Sequence, residues 1–228
     1  MNVTVSENPI SRGDKLCDVL VKRYIVVSLA KELARQHQYY VPAAASSRHV
    51  HLSADVMEAL FGKGYSLKTL RPLSQPEQTA CEETVTIIGP KGQIKGVRVL
   101  GPVRSQTQVE ISMTDTYRLG IEPAVRMSGD VVGSPGCTLA GPAGQVSITE
   151  GVIVAARHLH ISPGEADIFG LTDGDIVAAS KQGERETVFG NILVRAGEAH
   201  ALELHLDIDE ANAAGIKNGD LLELVRRP

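Results

Sequence analysis

The chain has 228 residues, 43% of them hydrophobic, with no Trp and three Phe, so any core it builds is aliphatic. A net charge of -4 gives no basic field for nucleic acid, and no apolar run approaches the ~20 residues of a membrane span. Nothing at the N-terminus resembles a secretory signal, and the three cysteines are scattered without Cys-x-x-Cys spacing, which fits a reducing cytoplasm.

In chain order, Met1 to Gly13 reads as polar and loose. Asp14 to Gln38 lacks Gly and Pro, and Leu16, Leu20, Tyr24, Val27 and Leu33/Ala34 recur at near-helical spacing. A helix is expected here, ended before Tyr40-Val41-Pro42. It either packs on the domain behind it or docks into a partner's groove, and Cys17 on it reads as a small apolar residue. Next comes Arg48-His49-Val50-His51-Leu52-Ser53. On a strand, residues two apart share a face, so His49 and His51 project side by side. Valine- and isoleucine-rich runs follow, such as Val85 to Ile88 and Val97 to Leu100, each bounded by Gly-Pro pairs. With 22 Gly and 11 Pro as punctuation, they predict many short strands.

The second half repeats the first. The run from Gly151 to Ala156 is strand-like, and Arg157-His158-Leu159-His160-Ile161-Ser162 matches the segment starting at Arg48. Val109 to Asp115, ending at Gly120-Ile121, lines up with Leu204 to Glu210, ending at Gly215-Ile216. Both alternate apolar and polar residues, then lead into a short helix-like segment and a glycine. In this register Glu110 falls on His205. Each half therefore offers three metal-ligand candidates: His49, His51 and Glu110, then His158, His160 and His205. Arg48 and Arg157 should point away from these groups with Val50 and Leu159, as structural ion-pair partners. His37 and His200 have no counterparts in the repeat and read as surface histidines.

Several long motifs carry a family resemblance from about Val41 to the C-terminus: Arg-His-Val-His-Leu-Ser, Gly-Pro-Val-Arg-Ser-Gln-Thr-Gln-Val-Glu-Ile-Ser, Arg-Met-Ser-Gly-Asp, Arg-His-Leu-His-Ile-Ser-Pro and Glu-Leu-His-Leu-Asp. The chain resembles the PduL-type phosphate propanoyltransferases. The resemblance implies a mainly β protein of two similar, interlocked β-barrel domains, with short capping helices and an N-terminal helical extension. The division expected is 1–40 for the extension, 41–150 for the first barrel half and 151–228 for the second. It also implies two Zn²⁺ per chain, one on His49, His51 and Glu110 and one on His158, His160 and His205. Imidazoles with one carboxylate suit zinc and leave room for water or substrate, although Co²⁺ or Ni²⁺ also suit imidazole-rich sites.

The implied reaction is acyl-CoA plus phosphate giving acyl phosphate plus CoA, with propanoyl-CoA the expected substrate. Resemblance places the phosphate contact on Arg104, whose planar fork of donors matches phosphate oxygens. It places CoA contacts on Ala45, Ser46, Ser47, Lys91, Arg98 and Asn212. The family commonly has Val-Ser-Asn where this chain has Ala-Ser-Ser, so Ser47 lacks the amide. No cysteine or serine sits in a recognisable nucleophile motif, which favours direct transfer without an acyl-enzyme. Encapsulated family members carry N-terminal helical extensions, so the expected location is the lumen of a cytoplasmic bacterial microcompartment. The helix would bind shell or lumen proteins there, and self-association into a homo-oligomer stays open.

Three alternatives remain at this point. One is an acetyl-preferring phosphotransacylase of the same type. Another is a metal-dependent hydrolase opening with His-x-His, which needs a larger barrel of alternating strands and helices. The third is a zinc-stabilised binding module, which would leave Arg104 unexplained.

Overall fold

The computed structural model describes residues 12–225, with side chains from residue 20 onward. The elements are α1 (Arg12–Arg35), β1 (Tyr40–Ser46), β2 (His49–Ser53), α2 (Ala54–Phe61), β3 (Thr69–Pro72), β4 (Thr79–Ile88), β5 (Gln93–Arg104), β6 (Gln108–Glu110) and α3 (Met113–Leu119). They continue with β7 (Val125–Arg126), β8 (Cys137–Ala140), β9 (Gln145–Ile148), β10 (Val152–Ala155), β11 (His158–Ile161), α4 (Pro163–Phe169), β12 (Ile176–Lys181), β13 (Thr187–Ala196), β14 (Glu203–Asp207), α5 (Ile208–Ala214) and β15 (Leu221–Val225). The protein is mainly β, as expected. Of Met1 to Gly13, read from sequence as loose, residues 1–11 lie outside the described residues, whereas Arg12 and Gly13 belong to α1; the side chains of Leu16 and Cys17 also lie outside the described residues.

The strands form two bodies. One is a closed barrel in the order β1-β14-β11-β13-β12-β15; the other is a curled sheet in the order β7-β10-β6-β2-β5-β4-β8-β9, with β3 on β4. Each takes a strand from the other side of residue 150. β1 pairs with β14 and β15 in the barrel, while β10 pairs with β6 and β7 in the sheet. The apolar run from Gly151 therefore does not continue straight into the second His-x-His. The chain leaves the sheet at Ala155 and enters the barrel at His158.

The local units follow from sequence. α3, α4 and α5 each begin at a Ser or Asp whose side chain accepts from the N3 amide while the N3 carboxylate accepts from the cap amide: Ser112/Asp115, Ser162/Glu165 and Asp207/Glu210. Such reciprocal caps satisfy donors that a short helix cannot pair internally. Each of the three ends on a left-handed glycine. At Gly120 a side chain is excluded twice, by a φ of +70° and by the Lys91 stem, which a Cβ would meet at 2.6 Å.

Two aliphatic cores result. The barrel buries Leu159, Ile161, Phe169, Ile192, Val194 and Leu204, and the sheet buries Val50, Leu52, Ile87, Val99, Val109 and Leu139. Ala30 and Ala34 of α1 belong to the barrel core, and Val27 packs against it. The expected stripe on α1 is thus divided. Val27 and Ala34 face the barrel, whereas Leu20 and Tyr24 are exposed, together with Val21, Ile25 and Leu29.

Candidate active site

The two His-x-His strands have matching surroundings. β2 lies between β5, parallel, and β6, antiparallel; β11 lies between β13, parallel, and β14, antiparallel. Registered partners on adjacent strands share a face. In the sheet, Glu110, His49 and Arg98 form one row, and Gln108, His51 and Leu100 the next. In the barrel the rows are His205, His158 and Leu193, then Glu203, His160 and Arg195.

These rows gather the six sequence-predicted ligands into two groups. In each of His49/His51/Glu110 and His158/His160/His205, one potential ligand atom per residue lies within 4.8 Å of the other two. The rings of His158 and His160 have centroids 4.6 Å apart, and each is 4.9 Å from His205. The two groups also face each other, since Glu110 and His158 act on each other electrostatically.

Hydrogen bonds set which nitrogen is free. His49 Nδ1 donates to the Ser47 carbonyl and His158 Nδ1 to the Ala156 carbonyl, both at 2.8 Å. A carbonyl only accepts, so each neutral ring keeps its lone pair on Nε2. Nδ1 of His51 and of His160 is shut from solvent with no hydrogen-bond partner among the described residues. A buried polar atom left unpaired is costly, and two at equivalent positions of a repeat fit a cation as the missing partner.

Burial, with the neighbouring His49 and Arg104, pushes His51 down to about 3. Burial and His205 push His158 down to about 4, and burial with His205 and His158 also lowers His160. These imidazoles are therefore neutral near pH 7, as metal ligation requires. Burial opposes charge on His49 and Glu110 as well. Their contact at 3.4 Å outweighs it, raising His49 and holding Glu110 well below the usual carboxylate range. A proton is thus held where a metal ion would replace it.

Arg104 closes β5 beside the first group. Its Nη1 donates to Ser128 Oγ at 3.3 Å, and Gln108 Nε2 donates to Ser128 Oγ at 2.9 Å and to Glu110 Oε1 at 2.6 Å. Burial lowers Arg104, Glu110 supports its charge, and Arg195 opposes it. Two guanidinium groups therefore border the ligand groups, one from each body, in a setting suited to an oxyanion. Arg98 shares the row of His49, but its Nη1 is committed to the carbonyls of Cys81 and Glu82.

Ser46 and Ser47 line a small crevice with Glu110, Ala155 and Asp207. The Ala45 amide donates to Asn218 Oδ1 at 2.8 Å. Asn212 is exposed on α5. Lys91 stands apart: it lies in the β4–β5 turn, and Gln93 to Arg98 alone spans about 16 Å of strand.

His37 is exposed, as expected. His200 is not the surface histidine expected: it is half-buried, its ring lies 4.3 Å from His160, and its Nδ1 donates to the Arg195 carbonyl at 2.9 Å. Its signal was hidden because the loop that carries it has no copy in the first half. Gln108, Ser128, Arg195 and Glu203 were also missed. Gln108 and Glu203 each stand two residues before a predicted ligand on the same strand face, a spacing that could have revealed them. Arg48 and Arg157 form the expected ion pairs, with Asp115 at 2.8 Å and Glu210 at 2.5 Å.

The duplicated strands of this β protein present two groups of three side chains that could each hold a metal ion, beside arginines suited to an anionic substrate. Residues 42–217 match the phosphate propanoyltransferase family model. A phosphate propanoyltransferase of Thermotoga maritima is 52% identical over 181 residues, 79% of this chain and 86% of the relative. Proteins of the same name from Rhodobacter capsulatus (47% identity; 91% of this chain, 97% of the relative) and Salmonella typhimurium (45%; 86% and 94%) also match. The chain belongs to the phosphate propanoyltransferase family, and it is an acyltransferase.

Proposed function

We propose that the protein interconverts acyl-CoA, with propanoyl-CoA the favoured substrate, plus phosphate with acyl phosphate plus CoA, in a metal-dependent direct transfer. The observation that carries this reading is the convergence of both ligand groups with Arg104 and Arg195 around one place. His49, His51 and Glu110 would hold one Zn²⁺ and His158, His160 and His205 a second, consistent with the two buried, unpaired Nδ1 atoms. Bound there, zinc supplies Lewis acidity toward a carbonyl or phosphate oxygen and an affinity for thiolate sulfur.

The chain's own groups do the rest. Arg104, anchored by Ser128, holds phosphate through its fork of donors. A phosphate oxygen attacks the thioester carbonyl carbon; the C–S bond breaks, CoA leaves as thiolate and acyl phosphate forms. Cys81 and Cys137 are buried, and burial raises both thiols, Cys137 to about 12. Neither is a prepared nucleophile, which supports transfer without an acyl-enzyme. Ala45, Ser46, Ser47, Arg98 and Asn212 are the proposed CoA contacts, with Lys91 able to meet only a distant part of so long a ligand.

The exposed apolar residues at the front of α1 support a further part of the reading. They would dock the chain onto shell or lumen proteins of a bacterial microcompartment. The matching surroundings of β2 and β11 support residues 41–150 and 151–228 as two copies of one unit. The test of function is CoA release from propanoyl-CoA with and without phosphate. Release that depends on phosphate and yields acyl phosphate is expected; release that ignores phosphate indicates a hydrolase, and no release a binding module.

A further inference from the structure

We propose that Glu203 is the positioning residue for His205, and that Arg23 of α1 holds Glu203, so that the N-terminal helix supports the second ligand group. This rests on the reading of His158, His160 and His205 as metal ligands. His205 Nε2 lies 2.8 Å from Glu203 Oε2. A carboxylate accepts, so Nε2 carries the proton and Nδ1 is left with the lone pair. A carboxylate in this place fixes both the ring plane and the tautomer.

Glu203 is itself held from two other parts of the chain. Ser74 Oγ donates to Oε2, Gln75 Nε2 donates to Oε2 at 3.2 Å, and Arg23 Nε lies 3.6 Å from Oε1. The carboxylate side chain is 8% exposed. An anion so buried persists only when compensated, and here the compensation comes from α1, from the β3–β4 loop and from His205. Arg23 faces it in return: among the described residues its Nε and Nη2 are shut from solvent without a hydrogen-bond partner, and its Nε forms the ion pair with Glu203.

The other half of the repeat shows that this is more than filling. Gln108 occupies the register position of Glu203, opposite the second histidine of its strand and two residues before the third ligand. It donates to Glu110 at 2.6 Å. Where the ligand is a carboxylate the neighbour is an amide donor; where it is an imidazole the neighbour is a carboxylate acceptor. The neighbour's chemistry follows the ligand's. The anchors differ, however. Gln108 Oε1 takes the Gly129 amide at 2.7 Å from a nearby loop, while Glu203 is held by the β3–β4 loop and, in addition, by α1.

The experiment compares wild type, Glu203→Gln and Arg23→Gln as full chains. It reads zinc per chain, affinity against a competing chelator, and the visible spectrum after loading with cobalt. Wild type should bind two ions. Glu203→Gln should keep the ion on the His49 group and bind the other 10- to 100-fold more weakly, with an altered cobalt spectrum. Arg23→Gln, which leaves the barrel interior intact, should show the same change several-fold in size. If wild type binds two ions and both variants keep them with unchanged affinity and spectrum, the proposal is overturned, even if they melt earlier. A wild-type chain whose metal content is unaffected by His158→Ala overturns the metal reading itself.

Discussion

Arg48 Nε donates to Asp115 Oδ2 at 2.8 Å, and the same bond recurs between Arg157 and Glu210. Each arginine precedes a His-x-His, and each acid is the N3 member of the capping box that follows Glu110 or His205. The pair therefore ties the ligand strand to the helix closing its unit. Arg157 adds a bond to the Gly190 carbonyl and lies 5.3 Å over the Phe189 ring. Arg157→Met should cost about 2 kcal/mol through the lost charged hydrogen bonds, a fall of roughly 4–8 °C in melting temperature. Metal content should not change. A variant that melts normally but loses metal would place Arg157 in the site instead.

His49→Ala and His158→Ala should each remove most activity and one ion per chain, because three protein ligands leave little redundancy. The other group should stay loaded, since its ligands stand on separate strands. Elemental analysis of each variant after metal-replete purification decides this. Near-normal turnover with both ions bound would show that the histidines are not ligands.

The exposed front of α1 predicts a separation of function. Leu20→Ser with Tyr24→Ser should leave activity within a few-fold, because both side chains are exposed. Co-purification with compartment shells should be lost. Deleting residues 1–40 is a different experiment, since it also removes Ala30 and Ala34 from the barrel core and Tyr40 from β1. That chain should fold poorly. Retained shell association by the double variant would discard the docking face.

Lys31 gives the same helix a pH-dependent anchor. Its Nζ lies 2.7 Å from Glu165 Oε1. Burial pushes Glu165 up, but Lys31 and the Ser162 donors together outweigh it and leave the carboxyl below its ordinary value. A carboxylate lowered on folding contributes stability above its unfolded value, about 4.3, and loses it as pH falls through the folded value. Lys31→Met should therefore melt lower at neutral pH, by about 1 kcal/mol after allowing for solvent screening of a partly exposed ammonium. The gap from wild type should close below about pH 4. A gap that is constant with pH would mean that the loss comes from packing of the lysine stem alone.

The strand face, the gathering of the six candidate residues into two groups and the arginine ion pairs were legible because a period of two and an internal repeat put them in the sequence twice. The resemblance implied interlocked barrels, but which strands exchange was not legible. Nothing in Val152 to Ala155 says that it pairs with β6 and β7 while His158, three residues on, enters the barrel. Such pairing is set by contacts distant in sequence. Arg195 was hidden for a related reason: its register partner is His160, but the matching position beside His51 is Leu100, so the repeat gave no second copy to compare. α1 showed its helical period plainly, yet the period could not say which part faced the barrel. Ala30 and Ala34 are buried against the barrel while Leu20 and Tyr24 stay exposed, a division that packing rather than periodicity sets.

Arg104 and Arg98 allow the substrates to be assigned separately. Arg104 touches Ser128 and stands within the field of Glu110 and His51, whereas Arg98 lies in the row of His49 with one nitrogen bound to β4 carbonyls. If the Arg104 fork holds the attacking phosphate, Arg104→Lys keeps the charge but loses the bidentate geometry. The KM for phosphate should then rise far more than that for propanoyl-CoA, with metal content unchanged. Losing one charge-assisted hydrogen bond is worth ~1.5–3 kcal/mol, roughly a 10- to 150-fold weakening. Arg98→Ala should show the opposite bias, weakening CoA substrates and sparing phosphate, with a smaller effect because part of its guanidinium is already used within the sheet. Varying both substrates against both variants reads the two assignments together. Equal weakening of CoA and phosphate in Arg104→Lys would mean that the residue shapes the site through Ser128 rather than binding phosphate.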